Sequence, residues 1–271
     1  MESIKDVTDI GKLADNQILG NFELTNSEIK FYGANNILYC EDNIVLKNSD
    51  ISFVGSNSIV YLSHTQYGDY NMLNIIVRND STIFIGRDNQ VGTQLQINIQ
   101  EHQNLIIGDD GIIGNSINIR TCDTIPVYEV SSKERVNFSE SVFIGDHVWL
   151  DHFSYISRGA KIGSGAIVGV HTFVPPNTSV KSNNNVIGNP AQVTGNDVFF
   201  TKDFTGSYNA EDTLNFSSYK SDVFCFHPEG EETLDLNQID GIIKDLTVDD
   251  RLEFIQKLFI RNKRRNRFSI K

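Results

Sequence analysis

Between Gly145 and Ala191 the chain gathers the side chains best placed to move a proton. Three of its six histidines, His147, His152 and His171, fall there, and His152 follows directly on Asp151 in the run Trp149-Leu150-Asp151-His152. An imidazole titrates near neutrality, so it can take a proton from a hydroxyl and hand it on. Successive residues of a strand point to opposite sides, so Asp151 and His152 need not face each other. A second acid-bearing stretch, Thr121-Cys122-Asp123-Thr124-Ile125-Pro126-Val127-Tyr128, lies upstream, with Glu129 just beyond it. Exposed carboxylates ionise near pH 4 and are weak bases unless desolvated. His64, His102 and His227 stand without such company.

The elements that must position these groups are short and regular. Across residues 142 to 191, small and β-branched apolar residues recur about every six positions beside glycines, in VFIGDHVWLDHFSYISRGAKIGSGAIVGVHTFV followed by VIGNPA. That period fits a parallel β-helix in which each face of a triangular coil takes one hexapeptide. Val142, Ile144, Val148, Ile156, Ile162, Ile167 and Val168 are the expected inward residues. The unit continues upstream in weaker form. Ile29-Lys30-Phe31-Tyr32-Gly33 returns 22 residues later as Ile51-Ser52-Phe53-Val54-Gly55, and Ile83-Phe84-Ile85-Gly86 as Leu105-Ile106-Ile107-Gly108. From Gly145 to Gly163 the interval shortens to 18. Asn, Asp, Ser and Gly clusters between the strand runs supply turn chemistry.

With Trp149 and the closing Gly188-Asn189-Pro190-Ala191, residues 105 to 195 resemble the hexapeptide-repeat O-acetyltransferases, such as the maltose, galactoside and capsule-modifying enzymes. The resemblance implies a left-handed parallel β-helix, acetyl-CoA as co-substrate, a sugar or cell-surface glycan as acceptor, and a homotrimer with sites between subunits. It also implies a histidine on a loop leaving the solenoid, acting as general base. The matching loop is Thr121 to Tyr128, and the family's histidine falls on Ile125, which cannot move a proton. The family's residue three past the tryptophan offers its backbone N–H to the acetyl carbonyl. Here that residue is His152, read either as a relocated base or as a surface imidazole on a coil corner. Trp149 and Asp123 complete the expected catalytic set. Ala160, Gly165, Ala166, Gly169, His171 and Lys181 are the expected cofactor contacts, since the pantetheine arm would pass small residues of successive coils. Pro175-Pro176 and a longer turn replace the Thr-Lys that relatives often carry, leaving Lys181 as a substitute phosphate contact. Arg120, Lys133 and Arg135 could meet an anionic acceptor, or be solvated loop charges.

Composition narrows the alternatives. The formal net charge is -12, and the body lacks basic residues interleaved with aromatic ones, which argues against nucleic acid as a partner. Cys40, Cys122 and Cys225 are odd in number and widely spaced, arguing against a disulfide framework or a metal cluster. A polar start and the lack of a long apolar run lead to the expectation of a cytoplasmic protein.

Four segments are expected. Residues 1–16 are a lead, 17–196 the solenoid, 197–235 an irregular aromatic-rich stretch, and 236–271 a basic helical extension, with no helical periodicity before about residue 236. Phe199, Phe200, Phe204, Tyr208, Phe216, Tyr219, Phe224 and Phe226 crowd the third segment, either packing across the solenoid or lining a sugar site. Eight of the 23 Lys and Arg lie in residues 251 to 271 against one acid, and Lys263, Arg264, Arg265 and Arg267 trail an apolar pattern of Leu252, Phe254, Ile255, Leu258, Phe259 and Ile260. That tail reads either as a capping helix on the solenoid or trimer, or as an anchor for an anionic membrane or a lipid-linked glycan. Two function classes remain: an acetyl-CoA-dependent glycan O-acetyltransferase, and a catalytically silent scaffold or glycan-binding protein.

Overall fold

A short inward apolar residue at the same point of every turn stacks directly on its neighbours above and below, and this produces the core. The structure, a computed structural model, describes residues 1–228 and 233–271. Ile29, Ile51, Ile75, Ile97, Ile119, Ile156 and Val174 form one such column, paired in parallel register and almost wholly buried. Cys40, Leu62, Ile85, Ile107, Ile144, Ile162 and Val180 form a second, and Val91, Ile113, Leu150, Val168 and Val186 a third. The three columns belong to three sheets of eight, nine and six strands, here called faces A, B and C, parallel throughout except for one antiparallel terminal strand on face A and one on face C. The 22-residue spacing is therefore one turn of a parallel β-helix.

Asparagine ladders hold the corners. Asn26, Asn48, Asn35 and Asn57 adopt left-handed backbone conformations with φ between 49° and 58°, which Asn tolerates well. Their side chains bond from coil to coil, Asn26 to Asn48 to Asn71 and Asn35 to Asn57 to Asp80, at 2.8 to 3.1 Å. Of the inward residues expected near the C-terminal end, Ile167 is the exception. It pairs with Trp149 on the outer side of face C and is only half-buried, because β-branched residues suit both sides of a strand.

Within the segment expected to be a lead, Glu2–Ile4 pairs antiparallel with face A. The aromatic-rich segment, of which residues 229–232 lie outside the described residues, runs as a strap over the edge between faces B and C. Among its described residues are a 3-10 turn at Thr205–Ser207 and a short α-helix, α1, Ala210–Asn215, closed by an Asn209–Asp212 capping box, where no helix was expected. Helices α2, Leu236–Asp245, and α3, Val248–Ile255, lie against the outer side of face B rather than over an end of the coil. A run of rings joins the tail that follows α3 to the solenoid: Tyr39 on Tyr61, Tyr61 on Phe84, Phe84 on Phe259 and Phe259 on Phe268, with centroids 4.5 to 5.9 Å apart. Each such contact contributes about 0.5–1.5 kcal/mol beyond its buried area.

Candidate functional site

Every coil has three corners, and the expected site residues divide among them. Asp123 and Ala160 lie at the corner from face A to face B. Gly165, Ala166 and Lys181 lie at the corner from B to C, and Asp151, His152, Gly169 and His171 at the corner from C to A, with Trp149 on the strand leading into it.

The A-to-B corner carries the loop 121–141. Its base is tied down: Arg135 forks onto Glu101 at 2.7 and 2.9 Å, and Asn137 bridges Val127, Ile125 and Asp123. The Arg135 guanidinium, helped by the Ser139 hydroxyl, lowers the Glu101 carboxyl to about 2. Asp123 is engaged by Arg158 at 3.0 Å. The loop's apolar side chains stay in water, with Ile125 72% exposed and Val130 83% exposed. Face A separates this loop from His152 within one chain, so Asp123 and His152 do not meet there. Ala160 at the same corner is wholly buried, its methyl inside the core.

The B-to-C corner is closed by the chain itself. Arg267, almost fully buried, reaches Asp146 at 2.7 and 2.8 Å, and Lys263 reaches Asp109 at 3.0 Å. Although burial works against its charge, these bonds hold Arg267 above its ordinary value. The His147 ring is sandwiched between Phe200 and Phe224 with centroids 4.2 and 4.0 Å away. Its Nδ1 lies 2.8 Å from Asp110 and its Nε2 3.0 Å from the Phe200 carbonyl. Gly165 has φ +74°, and an added Cβ would stand 2.7 Å from Phe226. Ala166 is buried in the core, while Lys181 is exposed at a separate cavity beside Cys225 and Lys271.

The C-to-A corner stays open. Trp149, Asp151 and His152 line one side of a cleft of about 810 Å³, and the strap residues Lys202 to Thr205, Tyr208, Phe216 and Tyr219 line the other. The His152 ring is half-exposed and anchored, because its Nδ1 accepts the Asn115 backbone N–H at 2.8 Å. In the neutral ring the proton therefore sits on Nε2, which is a donor and not a base. The His152 backbone N–H donates to the Asp151 carboxylate at 2.7 Å, so it is not free for a substrate oxygen. The Asp151 oxygen lies 3.9 Å from Nε2. One coil on, His171 is exposed and stacks on Phe153 at 4.8 Å, whereas Gly169 is buried under Ile187. The corner thus pairs a hydrogen-bond donor with an acid at an aromatic-walled cleft, an arrangement able to polarise a carbonyl and accept a proton from a hydroxyl. The strap wall was half-legible: the aromatic density stood out, but not which corner it would leave open.

Known proteins carry the same solenoid. Residues 141–176 match the bacterial transferase hexapeptide family, six repeats. Over 74 residues, 27% of this chain, the sequence is 27% identical to the polysialic acid O-acetyltransferase of Escherichia coli O1:K1 / APEC, a match spanning about a quarter (24%) of that relative's length. Among solved structures, the polySia-specific acetyltransferase NeuO aligns with a TM-score of 0.61 at 22% identity, over 74% of this chain and 97% of its own. The polysialic acid O-acetyltransferase OatWY aligns with a TM-score of 0.56 at 24% identity, over 74% and 98%. At these identities the likeness fixes the fold, the left-handed parallel β-helix of the hexapeptide-repeat transferases.

Proposed function

We propose that this hexapeptide-repeat chain is an acyl-CoA-dependent O-acyltransferase that transfers an acetyl group from acetyl-CoA to a glycan hydroxyl at the C-to-A corner. The observation that carries this reading is the open cleft that brings Trp149, Asp151 and His152 together on the transferase repeat block. The acceptor oxygen attacks the thioester carbonyl carbon, the new C–O bond forms, and the C–S bond breaks as the oxyanion collapses. Asp151 takes the hydroxyl proton and passes it to the departing CoA sulfur, so ester and free thiol leave together. Nε2–H of His152 points its hydrogen bond at the developing oxyanion, a donor role the expected general base would not fill. Trp149 gives the acceptor a ring to rest on. For the acetyl donor, the stacked Phe153 and His171 offer an approach along the same corner, while Ala160, Gly165, Ala166 and Gly169 are covered.

A homotrimer suits the exposed apolar loop, which from one copy would approach the C-to-A corner of the next. Light scattering that returned a monomer of 30.5 kDa would remove that arrangement. The tail's cations engage Asp146, Asp109 and backbone carbonyls, which supports packing over membrane attraction. No helix among the described residues is long and apolar enough to cross a membrane. A cytoplasmic setting agrees with the buried free thiols of Cys40 and Cys122. Ile125, standing where the resembled family carries its histidine, favours a second reading, the silent glycan-binding scaffold. Incubation with labelled acetyl-CoA and a glycan panel separates the two: ester formation supports the enzyme, and its absence with retained sugar binding supports the scaffold.

A further inference from the structure

The cleft at the C-to-A corner holds a different balance of rings and charges from one built for an acidic polymer. Its volume, about 810 Å³, lies within the range of small-molecule sites, about 300–1,000 Å³. Around it Tyr67, Phe204, Phe216 and Tyr219 leave 45%, 77%, 57% and 46% of their surface in water. Large rings left exposed beside polar groups mark a binding surface, and the C–H faces of pyranoses stack on such rings. The uncharged polar groups are mostly hydroxyls, with the amides of Gln90 and Asn115. Among the lining residues the charged side chains are Asp151, Asp203 and Lys202, joined by His152 only if protonated.

Lys202 is already committed. Its ammonium sits 2.7 Å from Asp110, 3.0 Å from the Asp88 carbonyl and 4.3 Å from the centre of the Tyr67 ring. The Asp203 carboxylate accepts the Thr201 hydroxyl at 2.6 Å, and Asp151 accepts the His152 amide at 2.7 Å, leaving on each a second oxygen and further lone pairs for sugar hydroxyls. Within one chain a ligand carboxylate would instead face two anions, with no free cation among the lining residues. The long-range field has the same sign, since the chain carries a formal net charge of -12.

We infer that the cleft takes an uncharged glycan, built of hexose or N-acetylhexosamine units, and excludes polyanionic glycans by the carboxylates of Asp151 and Asp203. The inference rests on the acyltransferase reading of this cleft and departs from the polysialic acid named for its relatives, a polymer bearing a carboxylate on every sugar.

Saturation-transfer NMR on the full chain, with neutral oligosaccharides and α2,8-linked oligosialic acid as probes, tests it alongside acetyl transfer to the same sugars. Neutral oligosaccharides should bind with the signal concentrated on ring C–H protons, and raising salt from about 0.05 to 0.5 M, which shortens the Debye length about threefold, should leave that binding unchanged. Trp149→Ala should weaken it at least about tenfold. Oligosialic acid should not bind the native chain, and should gain measurable binding in the Asp151→Asn/Asp203→Asn double variant. Tighter binding of oligosialic acid than of neutral sugars, binding of neither, or a double variant that rejects oligosialic acid as firmly as the native chain would each overturn the inference. Neutral binding without transfer would sink the acyltransferase reading and leave the ligand class standing.

Discussion

Two corners of the same coil, only a few residues apart, have opposite fates. At the B-to-C corner both ionisable groups of this coil meet partners from the chain itself: Asp146 takes Arg267, and His147 sits between two acceptors and two phenylalanine rings. At the C-to-A corner the backbone is equally well paired, yet the His152 Nε2, the Asp151 carboxylate and several aromatic rings face open space. Both corners carry an Asp-His pair, Asp146-His147 and Asp151-His152. The residue pair therefore does not make a site. What distinguishes the two is whether a later segment of the chain arrives to cover it, and the strap covers one corner while walling the other.

The sharpest way to break this contrast is to open the closed corner. Arg267→Met leaves Asp146 buried without its partner, and a loss of about 3–5 kcal/mol is expected in urea unfolding, the usual cost of stranding one member of a buried ion pair. Stability unchanged within 1 kcal/mol would show that the tail does not seal the corner. At the open corner, His152→Ala should lower acetyl transfer by about 10²- to 10³-fold, the worth of an oxyanion donor, with unfolding unaffected. His152→Gln, which keeps a donor, should recover most of that loss. Equal losses in both variants would return His152 to the role of base, as would ¹⁵N shifts placing the neutral ring's proton on Nδ1.

These expectations also show how far the sequence reaches. The hexapeptide period placed Val142, Ile144, Val148, Ile156, Ile162 and Val168 in the core, because a narrow coil constrains each inward residue locally. It misplaced Ile167, whose residue type carries no sign of which side of the strand it faces. The site was harder to read, since what decides the behaviour of His152 is the backbone N–H of Asn115, 37 residues earlier and across the inserted loop. His147 is settled by Phe200, 53 residues later. Neither partner is adjacent in any local pattern. The tail's cations, similarly, were visible as charge but not as the ligands of Asp109 and Asp146.

Smaller effects probe the third corner. Ile125→His restores the imidazole that the resembled family carries on this loop; a rise in transfer that survives His152→Ala would mean that the neighbour's loop completes the cleft. A rate no different from the native chain would mean that position 125 never reaches it. The gentlest perturbation is acid. The Glu101 carboxyl has its ordinary value near 4.5 lowered to about 2 by Arg135 and Ser139, so its contribution is fully present above about pH 4.5 and is lost as the pH falls toward 2. Hydrogen exchange of residues 121–141 should therefore quicken over that window before the coils themselves open, and Glu101→Gln should give the quickened exchange already at neutral pH.

A ladder of stacked parallel strands is also a template. Each end of the coil offers unpaired N–H and C=O groups on which another copy could continue the same register, and the Asn columns would extend with it, as they do in fibrils. Two short strands interrupt that continuation. Glu2–Ile4 runs antiparallel along the first edge of face A, and Gln192–Gly195 runs antiparallel along the last edge of face C. Reversing the direction of the outermost strand spoils the match for an incoming copy on that face, and a chain deprived of Glu2–Ile4 is expected to associate end to end more readily, a change that light scattering would read.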